Sequence, residues 1–285
     1  MDNNGEQDLH QSSSGHVMSG TSWLDQHYLA MQPEYEEMVH WVGIQQGWKI
    51  LDAACGAGSF VPLLCELVGS HGKVHALDLS AENVQALERE AQRSEWGPTV
   101  ATHVGTILAT PFEDDAFDMV WCANTMQYLT DDELLLAIAE FRRIVRPNGL
   151  IVLKDYDESA MAIQPTPPYL MTHLDEALAK VDEYRTNLHG LNRTIQLGMW
   201  MRKAGLKEIR QKPTLMVRLQ PLRNIEKQWL RELIRVNAEL ARTADLPETE
   251  KDVWQSLENV DAEEHILNHP DFQYRAIQTV FVGIN

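Results

Sequence analysis

The stretch ILDAACGAGSF, running from Ile50 to Phe60, decides the fold. An apolar run ends at Asp52, glycines follow at 56 and 58, and VPLLCELV resumes with Pro62 early enough to sit in a first helical turn, where its missing N–H costs little. The pattern predicts a short buried strand, a tight turn and a helix. Glycines in such a turn permit positive φ and a close approach of backbone to a ligand, and the following helix presents free N–H groups. An ordinary strand-to-helix turn uses the same residues, so the glycine pair alone names no ligand.

Working outward, KVHALDLS reads as a second strand and SAENVQALEREAQR as a helix with Ser80 as N-cap. TVATHVG is a weaker strand and FDMVWCA a strong one. DDELLLAIAEFRRIV is an amphipathic helix capped by Thr130 or Asp131, and NGLIVLKDY is a fifth strand. Continuous apolar strands joined by helices call for a parallel sheet covered on both faces. The expected fold is α/β, a doubly wound Rossmann-like sheet of seven strands, mostly parallel, with YRAIQTVFVGI as an antiparallel last strand. Ahead of it, SWLDQHYLAMQPEYEEMVHWV is helical and expected to break or restart at Pro33. After Tyr156, DESAMAIQPTPPYL reads as a connector and LKEIRQKPTLMVRLQ as an irregular strand, with further helices forming a substrate lid. The organisation expected is a disordered tail over 1–20, N-terminal helices over 21–45 and a ligand-binding core over 46–157. Residues 158–285 then continue the same domain with helical substrate-binding insertions and the last strands.

The 42 acidic residues against 24 basic ones give a net charge of −18, a field that repels a phosphate backbone and argues against a nucleic-acid partner. The basic run RTIQLGMWMRKAGLKEIRQK reads as a solvated helix face. Cys55, Cys65 and Cys122 are too scattered for a disulfide framework or a metal site, so a reducing, cytoplasmic setting without a metal is expected. The polar N-terminus carries no apolar leader, and no run approaches the roughly 18 apolar residues of a membrane span.

Two acids sharpen the reading of the turn. Asp52 stands just before the glycines, and Asp78 ends the second strand at the place from which a carboxylate accepts ribose hydroxyls. Val61 stands where a dinucleotide fingerprint wants a small residue, and the phosphate-loop GK[ST] is absent, which disfavours a nicotinamide oxidoreductase. An acid beside the glycines opposes a pyrophosphate and suits a nucleoside carrying an amino group and a sulfonium, as S-adenosylmethionine does.

ILDAACGAGSF, VHALDLS, ATPFEDDAFDMVWCANTMQYL and FRRIVRPNGLIVLKDY, in that order over Lys49 to Tyr156, resemble the successive motifs of the class I SAM-dependent methyltransferases. The likeness is to the small-molecule branch that includes quinone and natural-product methyltransferases. The resemblance implies that Asp52, Ala54, Gly56 and Gly58 line the methionine part of the cofactor, and that Asp78 binds the ribose with Leu79 against the adenine. Thr106, with Ile107 beside it, replaces the acid that usually meets the adenine amino group, and Cys122, Ala123 and Asn124 close the site. Trp23, His27 and Tyr28 recur on one side of the first helix, and Tyr28 is the aromatic expected at the cofactor carboxylate.

A sulfonium is already an excellent leaving group, so holding the acceptor in line in a dry site can supply much of the catalysis, and a general base is optional. Asp155 and Tyr156 at the end of the fifth strand, with His173 and His189 beside the added helix, are the acceptor-side candidates. Of these, Asp155, Tyr156 and His189 are the expected catalytic residues. Apolar segments such as MAIQPTPPYLM favour a small apolar or aromatic acceptor, methylated at O, N or C with S-adenosylhomocysteine as product. Competing readings are a protein or RNA methyltransferase and a SAM-binding module that acts without catalysis. The N-terminal helices could pair copies into a homo-oligomer.

Overall fold

The computed structural model describes residues 21–180 and 193–285. Its centre is a seven-stranded sheet in the order β3-β2-β1-β4-β5-β7-β6. The strands are β1 Lys49–Ala53, β2 Lys73–Asp78, β3 Val100–Val104, β4 Phe117–Ala123, β5 Val145–Gln164, β6 Lys207–Leu219 and β7 Gln273–Ile284. Pairing is parallel from β3 through β5, and β7 runs antiparallel to both β5 and β6. The expected sheet is therefore the one found. Strand order reverses between β1 and β4, so a ligand cleft belongs at the carboxyl ends of those two strands.

The helices described are α1 Thr21–Val42, α2 Val61–Val68, α3 Ala81–Ala91, α4 Asp131–Ile144, α5 Leu170–Ala179, α6 Arg193–Lys203, α7 Asn224–Thr243 and α8 Glu248–Glu258. Successive strand residues point to opposite faces, and each face has its own core. Met119, Trp121 and Val152 pack with α1, α2 and α7 through Met38, Val61 and Trp229. Val120, Cys122 and Leu153 pack with α4 and α6 through Ile138 and Leu197. Local signals set the helix starts as expected: Ser80 accepts from Asn83 N–H, and Thr130 forms a capping box with Glu133. Among the described residues no helix is long and apolar enough to cross a membrane.

Of four local expectations three need correction and one holds. First, α1 does not break at Pro33 but runs through it. The proline removes the N–H that would bond the Leu29 carbonyl, and the next carbonyl, that of Ala30, accepts Arg218 Nε and Nη2 at 3.0 and 2.6 Å and Arg223 Nη2 at 3.2 Å. Second, DESAMAIQ is no connector: β5 continues to Gln164, with an irregularity between Asp157 and Ala162 that lets Ala162 to Gln164 pair again with β7. The boundary expected at 157 falls inside that strand. Third, the irregular strand expected at LKEIRQKPTLMVRLQ holds: β6 pairs with β7 on one side, with an irregularity between Lys207 and Arg210 where Glu208 has φ 46°. Fourth, the basic run is not uniformly solvated, because Arg193 is fully buried, donating to Asp131 Oδ1 at 2.5 Å and to the Leu129 carbonyl at 3.0 Å. The tail expected over 1–20 lies outside the described residues.

Arg218 also pairs with Glu34 at 2.6 Å and Glu226 at 2.9 Å while 6% exposed, so one guanidinium ties β6 to α1 and α7. Replacing it by methionine strands the Glu34 carboxylate and leaves Glu226 and the Ala30 carbonyl with Arg223 alone. Arg218→Met is expected to lower unfolding free energy by about 3 to 5 kcal/mol, the usual cost of removing one partner from a buried pair. Urea unfolding checks this; a loss below about 1 kcal/mol would show that the tie adds nothing.

Candidate functional site

The glycine turn leaves β1 at Ala53 and bends over the carboxyl ends of β1 and β2. Ala54, Gly56 and Gly58 all have positive φ, at 59°, 54° and 91°. Ala54 is the unusual member, since a side chain in the left-handed region costs about 1 to 2 kcal/mol. The turn is pinned at three points: Cys55 N–H donates to the Leu77 carbonyl at 3.0 Å, Gly58 N–H to the Cys55 carbonyl at 2.9 Å, and Gly56 N–H to Asp78 Oδ2 at 2.7 Å. At Gly58 a Cβ would lie 2.4 Å from a Leu87 methyl carbon, so packing against α3 also demands glycine there.

Asp78 serves both the turn and α3. Its Oδ1 accepts Ser80 N–H at 2.9 Å and Asn83 Nδ2 at 3.4 Å while Oδ2 holds Gly56. A carboxylate has about four acceptor sites, so one remains beyond these three donors. Asp52 is different. It is 2% exposed and its Oδ2 has no partner. Burial, with the nearby Asp78 charge adding to it, pushes its carboxyl up to about 8.

Beyond Asp78 the rim turns apolar. Leu79 is 52% exposed, and Val104, which faces Asp78 across the β2–β3 pairing, is 56% exposed. Val104 escaped the sequence reading, although its place at the end of β3 beside β2 would have shown it. Thr106 Oγ1 is occupied within its own turn, accepting Leu108 N–H at 3.2 Å, and Ile107 is buried in the core of the second face.

At the ends of β4 and β5 the backbone crosses over: Asn124, with φ 56°, donates its N–H to the Lys154 carbonyl at 2.7 Å. Cys122 is buried, with its thiol pushed up by burial, and Ala123 and Asn124 are partly exposed beside the turn. Asp155 faces the α4 side, where it accepts Gln127 N–H at 3.2 Å and its neighbour Tyr156 N–H at 3.0 Å. Burial raises its carboxyl, and these donors oppose the rise. This geometry makes it a holder of the loop after β4. Tyr156 points to the other face, where its hydroxyl bonds to Tyr274 and to Met161 Sδ at 3.4 Å.

Tyr28 lies against Phe60 at 5.1 Å between ring centroids, beside the turn, and burial pushes its phenol up to about 12. His27 stacks on Trp229 at 5.4 Å and bonds the Tyr35 hydroxyl at 3.0 Å through Nε2. Burial, reinforced by Lys154, pushes its imidazole down to about 3. The side chain of Trp23 and the whole of His189 lie outside the described residues. His173 is engaged elsewhere, bonding Glu250 at 2.8 Å to tie α5 to α8. Among the described residues no group of three or more His, Cys, Asp or Glu side chains could hold a metal ion.

Residues 50–149 match the family model described as a methyltransferase domain. The chain is 30% identical over 135 residues to a 2-phytyl-1,4-naphtoquinone methyltransferase of Trichormus variabilis, which is 47% of this chain and 57% of that protein. It is 30% identical over 122 residues to a demethylmenaquinone methyltransferase of Staphylococcus aureus, 43% of this chain and 48% of that one. It thus spans about half the length of the curated relatives it matches. Among solved structures, a SAM dependent methyltransferase from Aquifex aeolicus superposes with a TM-score of 0.50 at 22% identity, covering 70% of this chain and 89% of the other, a likeness of fold. Residues 50–149, the stretch that matches the methyltransferase domain, carry the glycine turn, Asp78 and the strands β2 to β4.

Proposed function

We propose that this chain transfers a methyl group from S-adenosylmethionine to a small, apolar aromatic acceptor, of which a quinol is the model suggested by the relatives. The observation that carries the reading is the joined turn: an Asp78 carboxylate with acceptor capacity left, set beside left-handed backbone and an unpartnered Asp52 oxygen. A nucleoside with a cationic amino-acid end fits each part. Asp78 would accept a ribose hydroxyl, with Leu79 and Val104 against the base and Thr106 and Ile107 beside it. Ala54, Gly56 and Gly58 would bring backbone close to the methionine end, and the Asp52 oxygen would meet its ammonium. Tyr28 would close that end from α1, and Cys122 to Asn124 would flank the methyl group.

The bound cofactor supplies a methyl group activated by a sulfonium. The chain's part is to fix geometry and exclude water, since an in-line approach in a dry site lowers the barrier through pre-arranged orientation. Tyr28, Tyr35, Phe60 and Trp121 form a continuous aromatic wall with neighbouring centroids 5.1 to 5.8 Å apart, its last three rings buried in the core and its partly exposed edge, Tyr28, open to a flat apolar acceptor. Asp155 would act by holding the loop that carries Asn124, and Tyr156 by lining the acceptor side.

Calorimetric titration with S-adenosylmethionine and, in parallel, NADH tests the reading: saturable SAM binding with no NADH response is expected, and the reverse would overturn it. Asp78→Asn should weaken SAM binding about 10- to 100-fold, the worth of a charge-assisted hydrogen bond, while leaving a cooperative melt. Affinity unchanged from the parent would remove Asp78 from the ribose.

Asp52 gives a pH test. Because its folded pKa is raised from 3.8 to about 8, the folded state holds the proton more tightly than the unfolded chain between those values. Stability therefore falls as pH rises through that window. At pH 7 in the free protein Asp52 is mostly protonated, and a cationic ligand beside it expels the proton. SAM binding measured in buffers of different ionisation enthalpy should release up to about one proton, and Asp52→Asn should release close to none. Equal release from both proteins would place the ligand's cation elsewhere.

A further inference from the structure

The α1 and α7 face of β5 holds an ionisable group that the cofactor reading leaves unused. Lys154 is 0% exposed. Its Nζ donates to Asn124 Oδ1 at 2.6 Å and lies 4.0 Å from the centroid of the Tyr35 ring. An ammonium brings three N–H donors, and among the described residues Asn124 is the one hydrogen-bond acceptor it meets. No described carboxylate lies within the 4.0 Å of an ion pair, since Asp155, next in the strand, turns to the other face. A lysine so placed sheds its proton readily: burial pushes its ammonium well below the usual lysine range, with the Asp155 charge pulling back.

The groups around it come from several elements. From α1 come His27, kept neutral by burial, and Tyr35, whose phenol burial holds well above its usual range. β5 adds Tyr156, and β7 adds Tyr274 and Gln278, the latter in register with Tyr156 on the same face. Gln278 Nε2 donates to the Tyr35 hydroxyl at 2.5 Å, yet its Oε1 is buried with no partner, and Gln278 is itself 0% exposed. Two polar groups with unused capacity therefore sit amid aromatic rings. Asn124 links Lys154 to the cleft, because the same residue is partly exposed in the loop after β4.

We propose that Lys154 is the catalytic base for the acceptor, its neutral amine taking the proton from a hydroxyl on an aromatic ring, a phenol or hydroquinone, seated against the rings of His27, Tyr35 and Tyr156. The proposal rests on the methyl-transfer reading and names the acceptor's reacting group. In the step, the acceptor O–H bond breaks and its proton passes to Lys154 Nζ, leaving an ammonium and an aryl oxide. The oxide's electron pair forms the new O–CH₃ bond as the methyl–sulfur bond breaks, its pair staying on sulfur, which becomes a neutral thioether. Lys154 then returns its proton to solvent when the product leaves. Asn124 Oδ1 holds the amine in place and stabilises the ammonium once formed.

The test uses the full chain, 4-nitrophenol as a chromogenic phenol, and SAM in a separate titration. At a pH below the nitrophenol's own pKa, wild-type protein should bind it with the absorbance of the nitrophenolate. Lys154→Met should still bind nitrophenol but with that band reduced about tenfold or more, one unit of pKa or beyond, while SAM affinity stays within about twofold. If Lys154→Met does not fold, Lys154→Gln, which keeps a polar group toward Asn124, takes its place with the same expectation. Failure of the wild type to bind nitrophenol, binding without the nitrophenolate band, or a band of equal size in the variant overturns the proposal. Loss of SAM binding in wild type overturns the methyl-transfer reading instead, and the nitrophenolate result stands apart from it.

Discussion

One carboxylate organises the ligand end of this molecule. Asp78 ends β2, yet through Oδ2 it fixes the Gly56 N–H of the turn after β1, and through Oδ1 it fixes the start of α3. Two crossover connections that would otherwise move independently are therefore locked to the same atom pair. The strained backbone at Ala54 and the close contact of Gly58 with Leu87 are tolerable because this anchor leaves the turn no other path. A ligand that borrows the remaining acceptor capacity of Asp78 meets a loop already in its final shape, which lowers the ordering cost of binding.

The second constraint lies at α1. α1 carries a proline in its middle, and beside the carbonyl that Pro33 frees, Arg218 reaches from the edge strand to the Ala30 carbonyl while pairing with Glu34 and Glu226. The position of α1 then decides which rings reach the sheet. His27 comes to lie against Trp229 and Tyr35 against Lys154, while Tyr28 leans on Phe60 beside the glycine turn. The aromatic wall and the buried lysine are consequences of one helix held at one angle.

Much of this was legible in the chain because the signals are local. Glycine spacing, the Ser80 and Thr130 caps and the apolar strands each act over a few residues, and the order of the motifs carried the rest. What escaped depends on long-range pairing. The polar run DESA reads as a loop until β7 is known to pair beyond it. In LKDY the eye falls on Asp155, but period-two alternation puts Lys154 on the face of Val152 and Tyr156, and Asp155 on the opposite one. A lysine inside an otherwise apolar strand was the available clue. Arg218 and Gln278 carry no local signal for α1, since Glu34 lies 184 residues from the one and Tyr35 lies 243 from the other.

The order of the strands has a consequence for how the chain is made. β7, the last in sequence, lies between β5 and β6, so β6 has no neighbour in the sheet until residues 273–284 have been synthesised. During translation the parallel half, from β3 to β5, can assemble early, while β6 waits with both its hydrogen-bonding edges open and Leu215 and Leu219 beside them. Late closure by a distant strand is slow and leaves such edges open to wrong partners. On the ribosome this protein is therefore a nearly assembled parallel half followed by a vulnerable strand, and emergence of residues 273–284 ends that interval.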